Sequence, residues 1–153
     1  MPILILIFLT SMLTGCFHTS QYQQPLAFSP QNSAKIYIMR SSKWYGSVLN
    51  APVYVNNNYI GRVGINGYLV WNTLPGIVTV STDAGVGNYA FNKKNLSAVV
   101  ALDAKKGKNY YIELSFPNQV TLVTPGYELE LMHEKQGESL LEHLKNKPVI
   151  KPQ

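Results

Sequence analysis

From Lys35 onward apolar residues recur with a period of two, the spacing of a strand with one buried face. Ile36, Ile38 and Arg40 fall on one side of the first extended run, with Tyr37, Met39 and Ser41 on the other. Residues 52–55 (Pro-Val-Tyr-Val) form a second run. Asn56, Asn57 and Asn58 follow as a turn cluster that tolerates positive φ, and 59–63 (Tyr-Ile-Gly-Arg-Val) answers it, so this part reads as a hairpin. Residues 68–72 make a further strand, Leu74-Pro75-Gly76 a turn, and 77–82 (Ile-Val-Thr-Val-Ser-Thr) the next strand. Residues 96–102 and 109–116, joined through Gly107, read as a second hairpin, with more strands at 120–123 and 127–132. Only residues 134–145 show helical spacing, with Leu140, Leu141 and Leu144 clustered. Short strands at regular intervals, without βαβ alternation, predict an all-β fold: a small antiparallel β-sandwich over 35–133 with a C-terminal helix and tail over 134–153.

The first 34 residues do not share this pattern. Residues 3–13 are continuously apolar apart from Thr10 and Ser11, and no charged side chain lies in 1–15. A helix needs about 20 apolar residues to cross a bilayer, so this stretch suits the core of a cleaved signal peptide instead. No Lys or Arg stands before it, where a basic segment normally does. It closes on Leu13-Thr14-Gly15-Cys16, which resembles the lipobox of bacterial lipoproteins: a large aliphatic residue, two small ones, then the lipidated cysteine. Small residues let a peptidase approach the backbone between Gly15 and Cys16, and a thiol accepts the diacylglyceryl group. Cys16 is the only cysteine, so it has no disulfide partner within the chain. The resemblance implies a lipoprotein signal peptide at 1–15 and a lipid bilayer as partner through acylated Cys16, where two or more acyl chains give stable anchoring. Residue 17 is Phe, not the Asp that retains lipoproteins at the inner membrane, which favours the outer membrane facing the periplasm. Residues 16–34 are rich in Gln, Ser and Pro without a charged group, the composition of a flexible tether.

Several motifs in the folded part resemble a family of uncharacterised bacterial lipoproteins that carry a domain of unknown function. They are Ala34-Lys-Ile-Tyr-Ile-Met-Arg40, the hairpin at 53–61, Gly67-Tyr68-Leu69-Val70, Leu74-Pro75-Gly76 before an apolar strand, and Gly107-Lys-Asn-Tyr-Tyr111. The chain is also similar, more loosely, to surface-layer modules with a Pro-Glu-Gly-Ala motif, of which only the Pro-Gly pair is present. The likeness spans about residues 34–116 and implies a small β-sandwich with no known activity.

Thirteen Lys and Arg against eight Asp and Glu give a formal charge of +5, none of it in residues 1–15. Lys93-Lys94 and Lys105-Lys106-Gly107-Lys108 read as solvated loop tips, and no base-reading motif argues for nucleic acid. The three histidines, His18, His133 and His143, lack the short paired spacing of a zinc site. Ser41-Ser42 has no histidine near it, and no Gly-x-Ser-x-Gly elbow occurs. Glu134, Glu138 and Glu142 share one helical face beside Lys135 and Lys145, an ordinary solvated face. Gly61, Gly64 and Gly67 lack the Lys-Ser/Thr of a phosphate loop and are expected as positive-φ turn positions.

What remains is aromatic. Lys43, Trp44 and Tyr45 stand together in the connection 41–50, long for a strand-to-strand link. Such a group can stack on a sugar or grip a partner protein. The expectation is a membrane-anchored envelope lipoprotein, not an enzyme, without cofactor or metal, that binds an envelope protein or glycan. An envelope hydrolase acting on glycan or peptide is the alternative.

Overall fold

A computed structural model describes residues 20–21, 32–41, 50–83, 97–115 and 127–146. Among these residues nine strands and one helix follow in order: β1 (Ser20–Gln21), β2 (Ala34–Arg40), β3 (Ala51–Val55), β4 (Asn58–Val63), β5 (Gly67–Thr73), β6 (Gly76–Asp83), β7 (Ser97–Ala104), β8 (Asn109–Ser115), β9 (Glu128–Leu131) and α1 (Glu134–Lys145). They build a sandwich of a five-stranded sheet, ordered β1-β4-β3-β6-β7, and a four-stranded sheet, ordered β5-β2-β8-β9. Every pairing is antiparallel except β2 with β8, which run parallel with Ile36 opposite Tyr110 and Ile38 opposite Ile112. The all-β sandwich with a C-terminal helix is therefore observed. The expected strand at 120–123 lies outside the described residues.

The inner faces carry the expected alternation. Ile36, Ile38, Val53, Val55, Leu69, Val78, Val80, Ile112 and Leu114 are all at most 2 % exposed and form one cluster between the sheets. Burying each such side chain contributes about 1.5–3 kcal/mol before entropy is counted. The four-stranded sheet is covered on its outer face as well. There α1 buries Gly137, Leu141 and Leu144 against Met39 and Tyr111, and the Tyr37 ring stacks on Tyr111 with centroids 5.2 Å apart. On the second face of β2, Met39 is thus fully buried under the helix and Tyr37 partly so.

Three short connections cross between the sheets, at 64–66, 74–75 and 105–108. The last corrects an expectation: β7 pairs with β6 and β8 pairs with β2 and β9, so 96–116 is a crossing between layers and no hairpin. The Asn hairpin does form, β3 pairing β4 around Asn56 and Asn57 at φ 48 and 64. Of Gly61, Gly64 and Gly67 only Gly61 takes a positive φ, where the β3–β4 register shifts; in the 64–67 turn the left-handed residue is Asn66, φ 53.

These crossings align the two sheets end to end. One end, the Arg40 end, holds the pairs Arg40 with Gly67, Ala51 with Val63, Asp83 with Ser97 and Ser115 with Glu128. The other, the Gly76 end, holds Ala34 with Thr73, Val55 with Asn58 and Gly76 with Ala104. The packed unit starts before Lys35: Ala34 is fully buried, Ser33 is 5 % exposed, and the Ser33 carbonyl accepts the Gly107 N–H at 3.0 Å. Within the stretch expected as tether, Ser20 and Gln21 pair with Arg62 and Gly61 of β4.

Candidate functional site

At the Gly76 end the Asn56-Asn57 turn is fastened to β6. The Asn56 N–H donates to the Thr79 carbonyl at 2.9 Å, and the Asn56 Oδ1 accepts from the Thr79 N–H at 2.9 Å and its hydroxyl at 3.3 Å. Beside this tip the chain turns through Leu74, Pro75 and Gly76. Leu74 is 63 % exposed and Ile77 73 %, the two most exposed large apolar side chains among the described residues. An open cleft of about 330 Å³ lies against them, lined also by Asn56, Asn58 and half-buried Trp71, with no titratable side chain in its lining. Such a surface offers apolar contact area framed by amides.

The same end carries a second groove of about 560 Å³ beside the β7–β8 crossing, lined by Asp103, Lys105, Lys108, Tyr110, His133 and Glu134 among others. Its wall is held by Tyr110, whose hydroxyl accepts the Lys105 N–H and donates to the Asp103 carbonyl, both at 2.9 Å. A tyrosine at a strand start that reaches back to the backbone just upstream closes a corner between two sheets, as in immunoglobulin-like sandwiches. The lysines are exposed at the turn, as expected of a loop tip. His133 and His143 sit exposed at the start and in the last turn of α1. No group of three or more His, Cys, Asp or Glu among the described residues is placed to hold a metal.

The Arg40 end is built differently. Arg40 is 4 % exposed and its guanidinium lies over the Tyr127 ring, 5.5 Å from the centroid. Burial lowers the Arg40 pKa, against the opposing effect of Tyr127. Burial likewise raises the Tyr127 phenol above its ordinary value, partly offset by the neighbouring cation and its hydrogen bond. A cation with a tyrosine across the end of β2 is a structural clasp for the buried strand end. Next to it the Ser41 hydroxyl donates to a Glu113 carboxylate oxygen at 2.8 Å. Ser41 therefore faces a carboxylate. The Asn50 Oδ1 is buried without a hydrogen-bond partner among the described residues.

Gly15, Cys16 and His18 lie outside the described residues, as do Lys43, Trp44, Tyr45 and Lys93-Lys94. Of the 41–50 connection only its two ends, Ser41 and Asn50, are described. The exposed pair at the Leu74 turn was missed, although parity signals it: Ile77 shares a face with polar Thr79 and Ser81, so an apolar residue stands on a polar face.

Fold and surface together define a small β-sandwich module whose described clefts are open. The chain belongs to the family described as "protein of unknown function (DUF2846)", which matches residues 30–126, more than half of its length. The match takes in β2 to β8 and stops before β9 and α1. No curated protein and no solved structure matches the chain.

Proposed function

We propose that this protein is a lipid-anchored module of the bacterial cell envelope that acts by binding, with an envelope protein or glycan as its partner. The observation that carries the reading is the sequence Leu13-Thr14-Gly15-Cys16 at the close of an apolar stretch too short to span a bilayer. Position 17 is Phe and not the Asp that retains lipoproteins at the inner membrane, which favours the outer membrane, facing the periplasm. Two surfaces serve recognition: Lys43, Trp44 and Tyr45 by composition, and Leu74 with Ile77 by exposure. Solvent-exposed apolar side chains beside a cleft without titratable groups favour contact over hydrolysis.

The anchor is tested with Cys16→Ser. The variant should move from the membrane fraction to the soluble envelope fraction and lose incorporation of labelled fatty acid. Membrane retention with normal processing of Cys16→Ser would refute the lipoprotein reading.

A further inference from the structure

A tether of Gln, Ser and Pro running from residue 16 to the start of the sandwich would leave the domain free to tumble. Fully extended, such a segment reaches about 60 Å, at roughly 3.3–3.6 Å per residue. The pairing of β1 with β4 changes that. Ser20 lies opposite Arg62 and Gln21 opposite Gly61, antiparallel, so β1 runs away from the Arg40 end, where β4 terminates at Val63. The N-terminal side of β1 therefore points to the Arg40 end. Four peptide steps separate Cys16 from Ser20, and they cover at most about 14 Å.

We infer that, in the anchored protein, β1 holds the sandwich end-on: the Arg40 end faces the lipid surface and the Gly76 end faces away from it. The inference rests on the anchor proposed above. The span of β2, seven residues, sets the separation of the two ends at about 20 Å, with about 3.3 Å per residue. The exposed lysines of the 105–108 turn lie at the far end, together with Leu74, Ile77 and both open grooves. The exposed Lys105, Lys106 and Lys108 by themselves pull toward the opposite orientation, since they would be drawn to anionic headgroups. With a Debye length of about 8–10 Å that attraction is screened at a distance of about 20 Å, so the short link decides. A consequence for recognition is that Leu74 and Ile77 are presented outward to the envelope space, whereas the connection between Ser41 and Asn50 starts and ends at the lipid side.

Energy transfer to the membrane surface tests the orientation. Cys16 is the only native thiol and is blocked by lipid, so a cysteine introduced elsewhere takes a single donor dye. Glu128→Cys marks the Arg40 end and Lys106→Cys the Gly76 end, both at exposed positions. The full lipidated chain is reconstituted in phosphatidylethanolamine–phosphatidylglycerol vesicles that carry a small share of acceptor-labelled headgroups. Transfer should be severalfold stronger from position 128 than from 106. A Gly/Ser-rich insertion between Thr19 and Ser20 should erase the difference while the protein stays bound. Equal or reversed transfer in the parent, with the protein still bound, overturns the end-on orientation and leaves the anchor standing. A difference that survives the insertion overturns the short link as its cause. A chain that fails to float with the vesicles, and matches Cys16→Ser in doing so, removes both the anchor and the orientation.

Discussion

Gly137 stands in the third position after the first residue of α1, where helix propensity and packing make opposite demands. Replacing an exposed helical glycine by alanine stabilises by about 1 kcal/mol, because the backbone loses less freedom on folding. Gly137 is buried, however, and a Cβ there would overlap the Cβ and Cγ of Tyr111 and stand 2.7 Å from its Cδ2. Ordinary carbon contacts lie at about 3.5–4.0 Å. The atoms it meets are the base of the ring and not a flexible tip. Tyr111 is 3 % exposed and its ring is held in the stack on Tyr37, planes 8° apart. Relief must come from the helix, which would ride outward and loosen Leu141 and Leu144, at 6 % and 5 % exposure, from Met39. Overpacking of this kind costs about 1–3 kcal/mol, and partial loss of two buried leucines adds to it, which exceeds the propensity gain. Gly137→Ala should therefore destabilise by about 1–3 kcal/mol net and lower the thermal midpoint by about 3–10 °C. Thermal and urea unfolding followed by circular dichroism measure it, with exposed Ser139→Ala on the same helix as the control of opposite sign. An unchanged or raised midpoint in Gly137→Ala would show that α1 does not seat on Tyr111 and would refute the packing argument.

Tyr110→Phe removes both hydrogen bonds of the corner, and because water can reach the freed groups the loss should be about 1–2 kcal/mol in urea unfolding, with wild-type stability counting against the corner. Alkaline stability should depend on Tyr127 and Tyr111, both held above the ordinary phenol value of about 10, chiefly by burial. A raised folded pKa means that the unfolded chain ionises first, so their contribution is full below pH about 10 and is lost as pH rises through the folded values. Melting points from pH 8 to 12 should fall above 10, and less steeply in Tyr127→Phe; parallel curves for parent and variant would contradict this.

How far the sequence announces this fold depends on the range of the interaction. The strands and α1 were legible because their signals are local: alternation in Ile36-Tyr37-Ile38, two consecutive asparagines at φ 48 and 64, and Leu140, Leu141 and Leu144 within one turn and a half. Strand partnership was not. The turn at 105–108, with its glycine, has the composition of a hairpin loop, yet it carries the chain from one sheet to the other. Nothing in those residues distinguishes the two outcomes, because the choice is made by the parallel pairing of β8 with β2, some seventy positions upstream. Burial of β2 on both faces has the same origin. Met39 reads as an outward residue from its neighbours and is fully buried only because α1, a hundred residues later, lies across it.

The candidate sites divide along the same line. The proposed anchor rests on contiguous residues, Leu13-Thr14-Gly15-Cys16, because a peptidase and a lipid transferase would act on an extended chain, so that reading needs no fold. Recognition surfaces are assembled by folding. Leu74 and Ile77 become neighbours of Asn56 and Trp71 only when the β5–β6 crossing and the β3–β4 tip meet at one end of the sandwich. Arg40 shows the converse. By sequence it ends the first alternating run, three residues before Lys43, and by structure it is withdrawn into the sandwich against Tyr127. A desolvated guanidinium seated on a ring has little left to offer an external anion, so the cation that composition would assign to binding is spent on closing the end of the fold. Any electrostatic contribution from the 41–50 connection must then come from Lys43, its one remaining basic residue.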